Sequence, residues 1–237
     1  MRVSLTRGLL LALVARSSIV AADWPQFLRP PRNGVYTGPP LADSWPPNGP
    51  RVVWKKQVGA GFAGPAVAGT RVILFHRVGN EEVVEALNAQ TGAGVWRYAY
   101  RTSYRDDFGF DEGPRAVPVV VNGRVYTFGA QGVLSAIDAT TGKLVWTVDT
   151  AKRFDVPKGF FGQAGSPLVE DRRVIANVGG TDGVKNAGIV AFNADTGAVL
   201  WTATDHDASY SSPVTGTFGG RKLALFFTRQ ALVGLDP

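Results

Sequence analysis

The chain of 237 residues contains no cysteine. Disulfide bonds, thiolate metal sites, a cysteine nucleophile and a lipid-modified N-terminal cysteine are therefore excluded. Histidine is nearly absent as well: His76 ends a predicted strand, and His206 lies between Asp205 and Asp207. The acid-flanked His206 could act as a general base, or it could be a solvated loop histidine. No G-x-S-x-G, H-E-x-x-H or glycine-rich phosphate loop occurs in context, so the sequence contains no recognisable catalytic motif.

Long hydrophobic runs are missing too. The apolar run Gly8–Ala15 is too short for a bilayer span, which needs about 20 residues, and this argues against an uncleaved membrane anchor. The run follows Arg2 and Arg7 and leads to small residues before Asp23. This arrangement predicts a signal peptide over residues 1–22. We therefore expect an exported bacterial protein, periplasmic or extracellular, with no transmembrane segment in its mature chain.

Runs of basic residues are absent. The formal net charge of +6 includes three arginines and no acid within residues 1–22, which leaves +3 (6 minus 3) for the mature chain. A charge of this size without clustering is not the electrostatic footprint of a nucleic-acid-binding protein. No nucleic-acid partner is expected.

A phrase of eleven residues, by contrast, occurs three times. It reads ALNAQTGAGVW at Ala86–Trp96, AIDATTGKLVW at Ala136–Trp146 and AFNADTGAVLW at Ala191–Trp201. Its tryptophans are 50 and 55 residues apart, a period that indicates a repeat architecture. The glycine after the threonine favours a tight turn, and the tryptophan falls on a strand where its ring can stack on the neighbouring repeat. The predicted structural docking residues are Trp54, Trp96, Trp146, Trp201, Gly92, Gly142 and Gly197.

Each repeat contains four short β-branched and aromatic segments separated by turn residues. In the second repeat these are Pro118–Val121, Arg124–Gly129, Val133–Asp138 and Lys143–Asp149, with an Asn-Gly hairpin turn after the first. Four antiparallel strands per repeat predict an all-β fold, a β-propeller of four-stranded blades. We assign residues 51–237 to the propeller and residues 23–50 to an N-terminal extended segment.

The phrase A-x-[DN]-A-x-T-G-x-x-x-W resembles the tryptophan-docking motif of the PQQ-like, or quinoprotein-type, β-propeller repeat family. The segments Asp23–Phe27 (DWPQF) and Arg32-Asn33-Gly34 also resemble exported members of that family. The family includes quinoprotein alcohol dehydrogenases and outer-membrane assembly scaffolds of the BamB type. The resemblance implies the fold but leaves the activity open, because the motif is structural in catalytic and non-catalytic members alike.

The repeats amount to about three to four blades, so the propeller is expected to be incomplete. A strand with Trp54 is predicted at Val52–Val58, and three strands of a further blade follow at Pro213–Thr215, Lys222–Thr228 and Leu232–Asp236. The N-terminal strand could pair beside these three and close a four-bladed ring, protecting the strand edges. Alternatively, the chain is a fragment whose other blades lie beyond Pro237. We favour the fragment, because the sequence stops within a fourth copy of the phrase.

Three long inter-blade connections are predicted to open on one face: Arg101–Val117, Ala151–Ser166 and Asp205–Ser212, together with the loop Gly179–Ala187. Acids gathered in the first loop could bind calcium, although their spacing is not that of an EF-hand, or they could pair with nearby arginines. Lys158, beside Phe160 and Phe161, could contact an anion or a ring system, or these aromatics could pack down. The candidate ligand-face residues are Arg105, Asp106, Asp107, Asp111, Glu112, Lys158, His206 and Asp207.

Three functions remain open at this point. The favoured one is a non-catalytic, exported binding or scaffolding module for proteins or envelope polymers, with no catalytic, cofactor-binding or metal-binding residue assigned. The resemblance implies the alternative, a PQQ-dependent alcohol or sugar dehydrogenase with PQQ and Ca²⁺, or a fragment of one. A third is a sugar- or polymer-active lyase or hydrolase that uses Asp106, Asp107, Asp111 and Glu112 as acid and base.

Overall fold

A computed structural model describes residues 23–183 and 185–237, so the predicted signal peptide lies outside the described residues. These residues form four antiparallel sheets in chain order, and the predicted all-β fold is confirmed. Blade 1 contains β1 (Ala66–Ala68), β2 (Arg71–Val78), β3 (Glu81–Asn88) and β4 (Gly94–Arg101). Blade 2 contains β5 (Val119–Val121), β6 (Arg124–Phe128), β7 (Val133–Asp138) and β8 (Leu144–Asp149). Blade 3 contains β9 (Leu168–Glu170), β10 (Arg173–Asp182), β11 (Lys185–Asn193) and β12 (Val199–Ala203). Blade 4 has three strands, β13 (Val214–Phe218), β14 (Arg221–Phe227) and β15 (Leu232–Leu235).

Helix is nearly absent from the described part of the chain. Its one helix is α1 (Thr150–Arg153), a single turn at the start of the blade 2–3 connection. Asp149 caps α1 by accepting the backbone N–H of Lys152 at 3.0 Å. Within these residues, no helix has the length and apolar character needed to cross a membrane.

The repeated phrase builds the same turn in each four-stranded blade. In blade 1 the Asn88 side-chain oxygen accepts the backbone N–H groups of Gln90 and Thr91 at 2.9 and 3.0 Å. Asp138 and Asn193 make the equivalent bonds in blades 2 and 3. The glycine that follows has φ +71° in all three turns, a conformation that costs other residues free energy because of Cβ crowding.

Each of three tryptophan rings lies on the turn of the following blade. A Cβ added to Gly92, Gly142 or Gly197 would lie 2.7–2.8 Å from the nearest ring atom of Trp54, Trp96 or Trp146, respectively. The indole N–H groups donate to the carbonyl oxygens of Ala89, Ala139 and Ala194 at 2.8–2.9 Å. Trp201 packs against the hydrophobic cluster between blades 3 and 4. The energetic docking role of these residues stays a prediction.

Among the described residues, the hydrophobic core consists of three clusters, each between consecutive blades. Ile73 and Phe75 of β2 meet Val125 and Ile137 of blade 2. The largest cluster joins blades 2 and 3 and includes Phe128, Phe154 and Phe192, and the third joins Ile175 and Ile189 to Phe226. Alternate residues of each strand point to opposite faces of its sheet. Blades 2 and 3 therefore bury apolar side chains on both faces.

The N-terminal segment contacts all four blades. Trp24 exchanges two backbone hydrogen bonds of 2.8 Å with Val67 of β1, and the Pro25 carbonyl accepts the N–H of Val120 in β5 at 2.7 Å. Arg32, only 3% exposed, donates to the Pro213 carbonyl at 2.7 Å and to the Pro167 carbonyl. Burial lowers the pKa of Arg32 to about 10, against the opposing effect of Glu170. Residues 23–32 therefore connect the inner strands of the four sheets.

Two local expectations were wrong. Residues 52–58 are not a strand and do not pair with blade 4. Trp54 is held on the blade 1 turn, and Lys56 pairs with Glu85 at 2.8 Å, which places this segment beside blade 1. The expected loop Gly179–Ala187 is instead mostly strand, because β10 and β11 continue past a register shift between Asn177 and Gly180.

Candidate functional site on the inter-blade loop face

The three long connections each contact the second strand of the next blade or the loop that follows it. The Ser103 N–H donates to Gln131 Oε1 at 3.0 Å in blade 2. Gln163 bonds to the carbonyl of Val178 in blade 3 at 3.0 Å, and the Asp207 N–H donates to Gln230 Oε1 in blade 4 at 3.0 Å. These contacts bring the connections together as one surface, which we call the loop face.

Two of the four acids in the first connection accept backbone N–H groups. Asp106 accepts the N–H groups of Phe108, Phe110 and Asp111 at 3.2, 2.6 and 3.0 Å. Slight desolvation raises the pKa of Asp106, but these hydrogen bonds lower it, and the pKa lies below its usual value. Asp111 accepts the N–H groups of Gly61 and Gly113 at 3.1 and 2.6 Å. Both carboxylates therefore stabilise the loop conformation.

The other two acids are paired with basic side chains. Asp107 lies 2.5 Å from Lys158 of the second connection. Glu112 lies 3.1 Å from Arg105 and 3.4 Å from Arg77, whose side chain is buried. Across the described ranges, no three His, Cys, Asp or Glu side chains converge in a way that could hold a metal ion. The four acids of the described loop are instead engaged by backbone N–H groups and by basic side chains.

The three connections also carry a group of aromatic rings, most of them exposed. We call it the aromatic patch, and its members are Phe108, Phe110, Phe160, Phe161 and Tyr210. The Phe108 ring centroid lies 5.6 Å from Phe160 and 5.7 Å from Phe161, and Phe161 lies 5.4 Å from Tyr210. Phe110 is 70% exposed and Phe160 is 59% exposed. All three connections contribute rings, so the patch exists only when the blades are assembled.

Arg229, from the loop between β14 and β15, borders the aromatic patch. Its guanidinium carbon lies 5.8 Å from the Phe160 ring centroid and 5.6 Å from that of Tyr210. It also donates to the Tyr210 hydroxyl at 3.0 Å. Cation–π contacts of this kind hold the rings in place, with one face of Phe160 and one of Tyr210 occupied by the arginine.

A cleft lies on both sides of residues 156–163. The larger lobe, about 270 Å³, is lined by Arg105, Lys158 and Tyr104, and the smaller, about 170 Å³, by Lys158, Asp207 and Arg229. Tyr104 is 4% exposed, and its hydroxyl has no hydrogen-bond partner among the described residues. Burial raises the pKa of Tyr104, against the opposing charge of Arg115.

His206 is tied to blade 4. Its Nδ1 lies 3.0 Å from the Thr228 hydroxyl, whereas its Nε2 is 3.9 Å from Asp205. The neighbouring Asp207 accepts a hydrogen bond from Gln230 at 3.0 Å. In this arrangement His206 is positioned to hold its loop against β14.

A larger cavity of about 800 Å³, which we call the central cavity, is lined by residues of the N-terminal segment and of the approaches to the inner strands, and it shares Tyr210 with the smaller lobe of the cleft. Trp24, Phe62 and Tyr210 contribute aromatic surface, Ser166 and Ser212 contribute hydroxyls, and Arg115 is the one charged residue of its described lining. None of the eight candidate ligand-face residues lines this cavity.

The structure thus brings some of the candidates together and separates others. Lys158 joins Asp107 in an ion pair and shares the smaller lobe with Asp207. Asp106 accepts N–H groups of its own loop, and Asp111 accepts those of Gly113 in the loop and Gly61 outside it. Sequence reasoning missed Tyr104, Tyr210 and Arg229. A usable signal for Arg229 was its place in the β14–β15 loop, which corresponds to that of Gln131 in blade 2.

Comparison with known proteins gives three kinds of match. A family model described as outer membrane protein assembly factor BamB matches residues 80–237, about two thirds of the chain. The dehydrogenase subunit of alcohol dehydrogenase (quinone) from Komagataeibacter europaeus is 33% identical over 135 residues, covering 54% of this chain and 18% of that protein. The lanthanide-dependent methanol dehydrogenase of Methylacidiphilum fumariolicum is 28% identical over 158 residues, covering 65% of this chain and 25% of that protein.

Among solved structures, quinohemoprotein alcohol dehydrogenase ADHIIG from Pseudomonas putida HK5 superposes with a TM-score of 0.50 at 21% identity. The match covers 73% of this chain and 32% of that one. The chain therefore spans between a sixth and a quarter of the length of the curated relatives it matches. The likeness to the solved structure supports the propeller-type fold alone. With the family model covering most of the described repeats, the chain belongs to the PQQ-like repeat family described as outer membrane protein assembly factor BamB.

Proposed function

We propose that this protein is an exported, non-catalytic binding or scaffolding module that contacts a protein or an envelope polymer through its loop face. The aromatic patch carries this proposal. Monomeric proteins rarely leave a cluster of large apolar rings exposed unless it serves as an interaction surface. Exposed aromatic rings beside an arginine are also the residue types that dominate binding energy at protein interfaces.

The ion pairs and loop bonds support the same conclusion. A carboxyl group that serves as general acid or base must be able to exchange a proton with the substrate. Asp106 and Asp111 each accept two or more backbone N–H groups, and Asp107 and Glu112 are paired with Lys158 and Arg105. All four carboxyl groups of this loop are therefore already engaged, which argues against their use as acid and base by a lyase or hydrolase.

The alternative is a PQQ-dependent alcohol or sugar dehydrogenase, or part of one, and the names of the curated relatives favour it. The central cavity is large enough for a flat ring system, and Arg115 could face an anionic group there. Calcium, however, takes six to eight oxygen ligands and commonly uses carboxylates, whereas no carboxylate or side-chain amide lines the described cavity. The residues present do not fit a PQQ–calcium pair, so we derive no catalytic step through it.

A cofactor titration tests this choice. Purified protein, shown to be folded by circular dichroism, is mixed with PQQ and Ca²⁺, and the bound-quinone absorbance and dye reduction with alcohols or aldoses are recorded. The proposal predicts neither a bound quinone nor saturable dye reduction. Saturable activity that depends on PQQ would refute it.

A second experiment tests the loop face directly. Wild-type protein and the variants Phe110→Ser and Phe160→Ser are assayed on an array of apolar 12-residue peptides and by co-sedimentation with purified peptidoglycan. Because aromatic hot spots contribute about 2 kcal/mol or more each, retention on one of these probes should fall at least tenfold in both variants. Phe218→Ser is the matched control, since Phe218 is 54% exposed but lies at the β13–β14 hairpin. Equal binding by all variants would place the contact away from the aromatic patch.

Export is part of the proposal. The predicted signal peptide and periplasmic or extracellular location are tested by fractionating bacterial cells that express the full chain, and by mass spectrometry of the N-terminus. Cleavage before Asp23 is expected.

A further inference from the structure

The larger lobe of the loop-face cleft is held open by hydrogen bonds between its walls. The Gln163 N–H donates to the Ala130 carbonyl at 2.8 Å, which joins the second connection to blade 2. On the other wall, Gln131 Oε1 accepts the N–H of Ser103 in the first connection at 3.0 Å. All described residues that line the lobe lie between Ser103 and Gln163, so it is formed by blade 2 and two connections, without blade 4.

Tyr104, which lines this lobe, carries an unsatisfied polar group. The residue is only 4% exposed, and its hydroxyl has no hydrogen-bond partner among the described residues. The ring is fixed by its surroundings: the Tyr104 carbonyl accepts Arg77 Nη1 at 2.7 Å, and a Cβ on Gly162 would lie 2.8 Å from Tyr104 Cε2. A buried hydroxyl without a partner is unfavourable, and a bound molecule can supply the missing partner.

Two cations border the same lobe and have donors to spare. Arg105 donates through Nη1 to the Tyr104 carbonyl and to Glu112, both at 3.1 Å, while its Nε and Nη2 have no partner in the described part of the chain. Lys158 Nζ lies 5.9 Å from the Tyr104 ring centroid and pairs with Asp107. The two basic side chains are 58% and 47% exposed. Because exposed ion pairs of this kind contribute little free energy, an incoming anion can displace the acids.

The remaining lining of the lobe is mostly apolar. Ala130, Ala151, Val156 and Pro157 contribute to it, and no acid is among its described lining residues. Its volume of about 270 Å³ lies just below the roughly 300–1,000 Å³ of sites for drug-sized molecules, so a matching ligand is small. A guanidinium group and an ammonium group both bind carboxylates through charge-assisted hydrogen bonds. The lobe therefore fits one carboxylate attached to an apolar body.

We propose that the larger lobe binds a small organic carboxylate, with Arg105 and Lys158 holding the carboxylate group and Val156 and Pro157 contacting the apolar body. A free organic acid and the C-terminal residue of a polypeptide both have this chemistry. None of the described lining residues of the lobe lines the central cavity or belongs to the aromatic patch. The proposal does not rest on the proposed function, and its failure leaves that function untouched.

An NMR titration of the isotope-labelled protein tests the site. The probes are 4-methylpentanoate, the neutral 4-methylpentanamide of nearly the same shape, and inorganic phosphate, an anion without an apolar body. The carboxylate should shift the backbone amide signals of Gly159 and Gly162, which line the lobe, in a saturable way. Because the amide cannot form charge-assisted bonds and phosphate cannot use the apolar wall, each should bind at least tenfold more weakly. Equal binding of either control, or no saturable shift with the carboxylate, would overturn the proposal.

A short peptide distinguishes the two sources of the carboxylate. The last residue of acetyl-Gly-Gly-Leu has the carbon skeleton of 4-methylpentanoate and a free carboxylate, and the same peptide with an amidated C-terminus is its control. Tighter binding of the free peptide than of 4-methylpentanoate would assign the lobe to a polypeptide C-terminus. Weaker binding would assign it to a free organic acid, and both results support a carboxylate site.

Single variants separate a formed site from loose attraction to surface charge. Arg105→Met and Lys158→Met should weaken 4-methylpentanoate binding at least tenfold, whereas Lys143→Met, exposed in the β7–β8 turn at the other end of blade 2, should leave it unchanged. Asp107→Asn removes the acid that competes for Lys158 and should strengthen binding at least twofold. Tyr104→Phe should weaken binding at least threefold without lowering the free energy of unfolding, because the hydroxyl has no protein partner to lose. Weaker binding by Asp107→Asn, or unchanged binding by Tyr104→Phe, would overturn the proposal.

Discussion

Two glycines of blade 2 allow the contribution of one tryptophan contact to be measured. Gly142 and Gly123 have nearly identical φ values, +71° and +72°. A Cβ at position 142 would lie 2.7 Å from the Trp96 ring, whereas a Cβ at position 123 would meet nothing within 4 Å. Both alanine substitutions cost about 1–2 kcal/mol for the left-handed backbone. Only Gly142→Ala adds an overpacking cost of about 1–3 kcal/mol, so the two variants should differ by about 2 kcal/mol.

Urea and thermal unfolding of both variants give the comparison. For a protein of this size 1 kcal/mol corresponds to about 2–4 °C, so Gly142→Ala should melt about 4–8 °C below Gly123→Ala. The same pair is then made in a Trp96→Ala background, where the difference should vanish because the clashing ring is gone. Equal stabilities in the wild-type background, or a difference that persists without Trp96, would refute the docking role of this ring.

Three further predictions concern buried or capped polar groups. Burial raises the pKa of Glu82, against hydrogen bonds from Tyr100 and the Ala130 N–H; the folded state therefore favours the protonated acid, and stability should fall as pH rises above about 4.5. In urea unfolding at pH 5 and 7.5, the Glu82→Gln variant should lose this pH dependence of stability. If the stability of the wild type and of the variant changes equally with pH, Glu82 is not its source. Arg32→Met should lower the free energy of unfolding in urea by about 2–5 kcal/mol, because it leaves two buried carbonyls without donors. Arg51→Met, at an exposed position, should leave the stability unchanged. Equal effects of the two substitutions would show that Arg32 does not connect the blades. Asp106→Ala should speed limited proteolysis within residues 101–117 more than Asp106→Asn does, because the asparagine amide oxygen can still accept the backbone hydrogen bonds. Identical cleavage rates for the two variants would show that those bonds do not hold the loop.

Local patterns predicted the blades well because each blade is built from local information. Hairpin turns, period-2 alternation and the Asn or Asp before the Thr-Gly turn all act within a dozen residues. The turn at Asn88 could therefore be anticipated from the sequence. The exception, β10 and β11, continued as strands through residues that resemble a glycine-rich loop, because Thr181 and Asn186 still find cross-strand partners.

Long-range contacts were beyond the same reasoning. Arg32-Asn33-Gly34 has the composition of a surface turn, yet Arg32 is buried by carbonyls 135 and 181 residues away in sequence. Residues 52–58 have the pattern of an outer strand, but pairing also needs an open strand edge beside the segment. Among the described residues this segment lies beside blade 1 and pairs with no strand. An alternating pattern indicates that a segment can form a strand, but it does not identify the strand with which that segment pairs.

The acidic loop shows why residue type alone could not identify the site. Four carboxylates in seven residues are compatible with a metal site, with acid–base catalysis and with ion pairs, and only the donor positions distinguish these. Here every one of the four faces an N–H group or a cation of the protein, so a ligand that binds them must first displace an existing bond. The exposed rings of Phe108, Phe110 and Phe160 offer apolar surface, with only one face of Phe160 covered by Arg229. Covering these rings with a partner releases water from apolar surface. Binding at the loop face should therefore be driven mainly by the rings, with Arg229 and Lys158 setting orientation at their border.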